Sequence, residues 1–111
     1  MHSKMSLAAW AACGVLAVSA AGAQETGADL ARARACLACH QVDSKRVGPP
    51  LAGVARRYAG QSEAARYLAG KIRGGSRGAW GSVPMPAQTQ VSEAEALQLA
   101  QWVLTLAPAA P

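Results

Sequence analysis

The residues that most constrain this chain are the five of Cys36-Leu37-Ala38-Cys39-His40. Two thiols separated by two residues on a helical turn can add to both vinyl groups of one haem, and the adjacent imidazole then faces the iron. This spacing is therefore typical of covalent haem attachment. A redox dithiol, half of a zinc site and a structural disulfide are the rival interpretations of two cysteines at this separation.

The rest of the sequence offers little to the rival interpretations. A zinc site needs four ligands, and downstream of residue 23 the only cysteines and histidines are Cys36, Cys39 and His40. A thioredoxin-like dithiol is expected after a strand in a βαβ unit, and no strand-like alternation precedes Cys36. We therefore interpret the motif as a haem site, with the two cysteines as covalent attachment points and His40 as an iron ligand.

Residues 1–23 have the composition of an export signal. A short basic start is followed by an alanine-rich apolar stretch and by Ala21-Gly22-Ala23, which provides the small residues that a signal peptidase reads. We predict a Sec signal peptide cleaved after Ala23 and one domain over residues 24–111. An uncleaved anchor is the alternative, because the apolar stretch approaches the roughly 20 residues that span a bilayer. The predicted location is the periplasm, without stable membrane insertion.

The domain is expected to be all-α, because no convincing strand alternation or internal repeat occurs after the signal. Capping residues and apolar spacing predict four short helices. The clearest of them is the last, because Ser92 and Glu95 have the spacing of a capping box ahead of an apolar stripe. The expected helices cover about residues 27–39, 50–58, 62–75 and 93–106.

The glycine- and proline-rich loop over residues 74–90 contains the best candidate for a second axial iron ligand. Downstream of residue 23, His40 is the only histidine, so ligation by two histidines is excluded there. Met85, a lysine amine and an open site remain. Met85 lies between Pro84 and Pro86, which stiffen the loop and remove two backbone donors. A thioether held in this way suits an electron-transfer haem, so we expect His40 and Met85 on opposite faces of the ring.

Several further segments follow the haem motif in a fixed order and spacing. They are Val47-Gly48-Pro49, Lys71-Ile72-Arg73-Gly74-Gly75-Ser76, Gly78-Ala79-Trp80-Gly81, Val83-Pro84-Met85-Pro86 and Ala100-Gln101-Trp102-Val103-Leu104. Together with the motif, they resemble the small bacterial class I monohaem c-type cytochromes of the cytochrome c-551 type. The resemblance covers nearly all of the chain after residue 23. It implies a cytochrome c fold, with about four short helices wrapped around one covalently bound haem c.

The resemblance also implies roles for residues outside the motif. In that family the residue matching Pro49 offers its carbonyl oxygen to the ring N–H of the proximal histidine, and the tryptophan matching Trp80 donates its indole N–H to a haem propionate. The basic residue matching Lys71 also contacts a propionate, although arginine is frequent there and lysine lacks its bidentate fork. Relatives commonly place an asparagine three residues after the ligand methionine, where it binds the sulfur, and this chain has Gln88 instead.

The expected function is that of a monomeric, soluble one-electron carrier and not an enzyme. The resemblance implies redox partners: a membrane quinol-oxidising complex as donor, and a terminal oxidase, nitrite reductase or haem peroxidase as acceptor. Nothing further in the sequence supports a nucleic-acid partner. The alternatives are a ligand-binding or enzymatic haem protein with a displaceable Met85, and a haem subunit of a larger complex.

The formal net charge of +5 would attract acidic surfaces on partner proteins by long-range electrostatics. Basic side chains around an exposed haem edge would steer such partners, with rates that fall as salt rises. The candidates for this border are Lys45, Arg46, Arg56, Arg57, Arg73 and Arg77. Ordinary solvated surface charge is the alternative interpretation of these residues.

Overall fold

Four α-helices make up the fold in the computed structural model, which describes residues 1–15 and 25–107. No β-strand occurs within these ranges, so the prediction of an all-α fold is confirmed. The helices are α1 (Gly27–Ala33), α2 (Leu51–Tyr58), α3 (Ala64–Gly74) and α4 (Glu93–Leu104).

Helix α1 is shorter than its apolar spacing predicted. Thr26 caps it as expected, because the Thr26 hydroxyl accepts a first-turn backbone N–H at 3.1 Å. The helix ends at Ala33, since Ala35 adopts a left-handed conformation with φ of 63°. A short 3-10 helix over Cys36–Ala38 follows. The prediction of one continuous helix as far as Cys39 is therefore wrong, and the break separates the cysteine motif from the axis of α1.

The other three helices begin and end within two residues of their predicted bounds. The capping box of α4 is complete: the Ser92 hydroxyl accepts the Glu95 N–H at 3.1 Å, and the Glu95 carboxylate accepts the Ser92 N–H at 3.0 Å. This confirms the strongest local signal in the sequence, a serine followed three residues later by a glutamate.

Helix α4 is the centre of the packing, because α1, α2 and α3 all contact it. Two clusters of buried side chains result, and Ile72 and Trp102 pack against both. Leu30 and Val91 are the largest fully buried side chains, so the core is modest and a further apolar body would strengthen it. The clusters consist of Leu30, Ala31, Val91, Ala96 and Leu99, and of Leu51, Val54, Leu68, Ala100 and Val103.

Residues 1–15 are irregular and contribute to neither core cluster. Among the helices in the described ranges, none has the length and apolar character to cross a membrane. The rest of the predicted signal peptide, with its cleavage position after Ala23, lies outside the described residues, as do residues 108–111. The signal peptide and the domain boundary therefore stay predictions.

An ion pair between Arg34 and Glu95 joins the end of α1 to the start of α4. Arg34 Nε donates to Glu95 Oε2 at 3.0 Å, and the same carboxylate accepts the Ser92 N–H. The hydrogen bonds from Arg34, aided by the one from Ser92, lower the pKa of Glu95 from 4.5 to about 2. A carboxyl group whose pKa is lowered by folding stabilises the protein above its unfolded pKa, and that stabilisation is lost as the pH falls through its folded pKa.

We expect Glu95→Gln to lower the free energy of unfolding at neutral pH. The difference from wild type should shrink below pH 4.5 and be lost as the pH falls through about 2, the pKa at which Glu95 becomes protonated as well. Denaturant titrations at a series of pH values measure this difference. Glu93→Gln removes a charge from the same helical turn, and Glu93 makes no ion pair within the described ranges, so it serves as the control. A Glu95→Gln difference that stays constant with pH would contradict the assignment.

Candidate haem site

All the site residues predicted from the sequence line one cavity between the helices and the loop that follows α3. Its volume is about 370 Å³, within the roughly 300–1,000 Å³ of typical cofactor and ligand sites. Apolar side chains of three helices, including Leu51, Leu68 and Leu99, form part of its wall. The predicted residues at the cavity are Cys36, Cys39, His40, Pro49, Lys71, Trp80 and Met85.

The cysteine motif forms one tight turn at the edge of the cavity. The His40 N–H donates to the Cys36 carbonyl oxygen at 3.0 Å, which brings both thiols and the imidazole to the same cavity. Cys36 and Cys39 are separate thiols, and burial raises the pKa of Cys36. Across the described part of the chain, no three His, Cys, Asp or Glu side chains gather as a metal-ion site. The zinc interpretation therefore finds no additional ligand.

The ring of His40 is held by the two residues Gly48 and Pro49. His40 Nδ1 lies 2.9 Å from the Pro49 carbonyl oxygen, which can only accept, so Nδ1 carries the proton and Nε2 is left for iron. The backbone of Gly48 lies against the ring, and a Cβ on Gly48 would overlap ring atoms. The orienting hydrogen bond implied for Pro49 is thus present in the structure. The sequence assigned no role to Gly48, although the glycine beside Pro49 was an available signal.

Met85 is fixed by backbone hydrogen bonds to the start of its own loop. Its N–H and carbonyl pair with those of Ser76 in an isolated antiparallel bridge, with N···O distances of 2.9 and 3.0 Å. Gly75, with φ of 83°, permits this approach, because a Cβ there would lie 2.8 Å from the Met85 carbonyl oxygen. The flanking prolines predicted a stiff loop, and the bridge is a second source of stiffness that local sequence did not reveal.

The side chain of Gln88 hydrogen-bonds within the loop, and in the described part of the chain it makes no hydrogen bond to the Met85 sulfur. Gln88 Nε2 donates to the Pro86 carbonyl oxygen at 2.8 Å, and its Oε1 accepts from Gln90 at 2.9 Å. Its backbone N–H donates to the Ile72 carbonyl oxygen at 2.9 Å, which ties the end of the loop to α3. The hydrogen bonds of Gln88 therefore fix the backbone of the residues that follow Met85 in the loop.

Three aromatic and two basic side chains contact one another in a row beside the cavity. The Arg57 guanidinium carbon lies 4.5 Å from the centroid of Trp80 and 5.9 Å from that of Tyr58. The Tyr58 and Tyr67 rings are 5.3 Å apart, and Lys71 Nζ lies 5.3 Å from the Tyr67 centroid. Trp80 keeps 39% of its surface exposed, so it is not a core residue. We call these five residues the cation–aromatic wall; all except Arg57 border the cavity.

Comparison with known proteins decides the family. The family model described as Cytochrome c matches residues 24–107. The chain belongs to the cytochrome c family. Like its relatives, it is a haem-binding electron-transfer protein rather than an enzyme.

The relatives of this cytochrome are small bacterial proteins of similar length. It is 53% identical over 96 residues to cytochrome c-552 of Nitrosomonas europaea, which covers 84% of this chain and 93% of the relative. It is 52% identical over 81 residues to cytochrome c-551 of Azotobacter vinelandii, covering 73% and 98%. The crystal structure of wild-type Nitrosomonas europaea cytochrome c552 matches with a TM-score of 0.70 at 57% identity, covering 71% of this chain and 98% of that chain. These findings confirm the resemblance to the c-551 type and the cytochrome c fold.

The residues of this cytochrome fit a covalently bound haem c. The cavity offers two thiols, an imidazole with Nε2 available, a thioether on a stiff loop and apolar walls. These are the groups that a haem with one histidine and one methionine ligand requires. The modest core also gains a large apolar plate when such a group lies between the helices.

Proposed function

We propose that this cytochrome is a soluble periplasmic one-electron carrier with one haem c, attached through Cys36 and Cys39 and ligated by His40 and Met85. The observation that carries the proposal is that His40 and Met85 border one apolar cavity, and that separate hydrogen bonds fix each of them. A methionine that only fills space would need no backbone bridge beneath it. Haem iron, when bound, supplies the one-electron change between Fe(III) and Fe(II).

The cavity residues support that chemistry in three ways. The Pro49 carbonyl accepts the Nδ1 proton of His40, which fixes the ring orientation and makes Nε2 a stronger donor. The bridge between Ser76 and Met85 fixes the backbone that carries the thioether, as a ligand retained in both oxidation states would require. Apolar walls exclude water and disfavour the more highly charged oxidised centre, which raises the reduction potential along with the Met85 ligand.

We assign the haem propionates to Trp80 and Lys71. Both side chains border the cavity, and each belongs to the cation–aromatic wall, where a negative group finds an indole donor and a positive charge. The Lys71 ammonium also faces the Tyr67 ring, so it acts as a point charge beside an aromatic surface.

The mouth of the cavity supports docking of redox partners. Val47 and Val83 border it and are 52% and 62% exposed, and Lys45 lies on the same border. An apolar centre with basic neighbours suits acidic surfaces on a quinol-oxidising donor and on an oxidase, nitrite reductase or haem peroxidase acceptor. Of the six basic residues predicted around the haem edge, Lys45 borders the cavity, and the other five do not: Arg46, Arg56, Arg57, Arg73 and Arg77. Arg73 lies at a separate depression between α3 and α4, and its Nε donates to the Val91 carbonyl oxygen at 3.3 Å.

The cavity does not favour an enzymatic role. Its described lining contains no carboxylate, and His40 is its only imidazole. An acid–base catalyst would need a second such group within hydrogen-bond reach of a bound substrate. An electron carrier that keeps both axial ligands needs no acid–base catalyst.

A redox titration of the holoprotein, followed by visible absorption, tests the proposal. We expect a single one-electron transition, with about 59 mV per tenfold change in the ratio of oxidised to reduced protein, and a high midpoint for a c-type haem. Carbon monoxide added to the reduced protein at neutral pH should cause no rapid spectral change, because Met85 holds the sixth position. A low midpoint or fast binding of carbon monoxide would contradict the proposal.

A further inference from the structure

We propose that Arg57 is a positioning residue that holds the indole of Trp80 in place at the cavity and thereby sets the reduction potential. Arg57 stacks on the Trp80 ring and hydrogen-bonds to the backbone one residue earlier. The inference rests on the proposed function, because the orientation of this indole affects the potential only if a haem occupies the cavity.

The segment over residues 77–84, between the two partners of the Ser76–Met85 bridge, has little structure of its own to hold it. In the described part of the chain it makes no backbone–backbone hydrogen bond. Gly78 and Gly81, with φ of 76° and 119°, flank Ala79 and Trp80, and glycine backbone is permissive. The two residues between these glycines therefore need an anchor from elsewhere.

Arg57 supplies that anchor from the last turn of α2. Its Nη1 donates to the Ala79 carbonyl oxygen at 2.7 Å, and this is the only hydrogen bond between residues 77–84 and the rest of the described structure. The same guanidinium lies 4.5 Å from the Trp80 centroid. One planar group thus fixes both the backbone and the side chain at the point where the loop reaches the cavity.

The burial of Trp80 shows why the anchor matters. The indole borders the cavity but keeps 39% of its surface exposed, so packing alone does not fix it. Arg57 does not border the cavity, so apart from its charge its influence on a bound haem passes through Trp80. Lysine at this position would keep the charge but lose the planar stacking and the directed hydrogen bond.

The expected effect on the potential follows from charge. An indole N–H that donates to a propionate offsets part of its negative charge. When the indole is released, the propionate stabilises Fe(III) more strongly, so the reduction potential falls. A loose Trp80 should therefore make the protein easier to oxidise.

Arg56 provides a matched control. It is the preceding residue of α2 and is exposed, and its side chain makes no hydrogen bond, ion pair or ring contact within residues 25–107. Arg56→Gln removes the same charge as Arg57→Gln from nearly the same place. Any effect on Trp80 beyond that of Arg56→Gln is due to the contact.

The first test measures indole N–H exchange by ¹⁵N NMR in the holoprotein. Trp102 packs against both core clusters and serves as an internal standard. We expect the exchange of Trp80, relative to Trp102, to rise at least tenfold in Arg57→Gln and Arg57→Lys and to stay unchanged in Arg56→Gln. An unchanged ratio, or a wild-type Trp80 indole that already exchanges as fast as free tryptophan, would overturn the proposal.

The second test measures reduction potentials of the same variants. At a fixed applied potential, Arg57→Lys should raise the ratio of oxidised to reduced protein by about threefold, which is roughly 30 mV at 59 mV per tenfold for one electron. Arg57→Gln should raise the ratio by the same factor beyond the change that Arg56→Gln causes through charge alone. In a Trp80→Phe background the effect of Arg57→Gln should fall to that of Arg56→Gln. If Arg57→Lys behaves as wild type, or if Arg57→Gln and Arg56→Gln shift equally, Arg57 acts only as a charge and the proposal fails.

The two tests separate this proposal from the carrier assignment. A wild-type protein with a low midpoint or rapid carbon monoxide binding would remove the carrier function, while the exchange ratio would still report whether Arg57 holds Trp80. A normal wild-type midpoint with unchanged exchange in the Arg57 variants would remove the role of Arg57 alone.

Discussion

Replacing Met85 with alanine should abolish the weak near-infrared band that sulfur-to-iron ligation gives the oxidised protein. The reduction potential should also fall by a few tenths of a volt, within the roughly 0.8 V range that axial ligands control. The physical reason is that a thioether favours Fe(II), whereas water or a stronger donor in its place favours Fe(III). Absorption spectra of the oxidised variant and a redox titration measure both effects.

Val83→Ala is the matched control for this prediction. Val83 lies in the same loop and is 62% exposed, so its truncation leaves the backbone bridge and the thioether in place. The control should keep the near-infrared band and nearly the wild-type midpoint. If Met85→Ala also keeps the band, another residue is the sixth ligand, and the lysines at the cavity, Lys45 and Lys71, become the candidates.

Removing both attachment cysteines should cost the protein its cooperative fold. Without haem, the apolar side chains around the cavity of about 370 Å³ have nothing to pack against, and each large one left exposed forfeits roughly 1.5–3 kcal/mol. A small domain has roughly 5–15 kcal/mol of total stability, so little or none would remain. We therefore expect the Cys36→Ser, Cys39→Ser double variant, purified without haem, to lose most of its helical circular dichroism and its sharp thermal transition.

Ser62→Ala is the control, because this exposed residue lies outside both core clusters and does not border the cavity. It should leave the helical signal and the thermal midpoint of the holoprotein unchanged. A haem-free double variant that still unfolds cooperatively with wild-type helicity would show that the two core clusters suffice without the cofactor.

Features with local causes could be predicted from the sequence. The capping box of α4 depends on two side chains three residues apart, and it formed as expected. The cysteine motif and Met85 were identified because few residues in the chain have the required chemistry. By contrast, the break after α1 depends on Ala35, and alanine carries no signal for a left-handed conformation. Tertiary packing imposes that turn, so a helix predicted from local spacing continued through it.

Contacts between distant segments could not be predicted either. The bridge from Ser76 to Met85 and the stacking of Arg57 on Trp80 join residues that no periodic pattern relates. The hydrogen bond from His40 to Pro49 was anticipated only through resemblance to a family, since nothing in nine residues of loop dictates where it folds back. The identity of the site residues could therefore be predicted from the sequence, whereas the long-range contacts that position them are seen only in the structure.

The contact between Gly48 and the His40 ring also limits which amino-acid substitutions can accumulate at position 48 during evolution. Every other amino acid has a Cβ, and a Cβ at this position would overlap the imidazole, so each missense change at codon 48 must displace the His40 ring or the backbone of residue 48. No stepwise path of mild substitutions leads away from glycine there. A descendant protein could replace Gly48 only after the backbone around Pro49 had moved. Codon 48 is therefore expected to keep encoding glycine while other positions of the loop change.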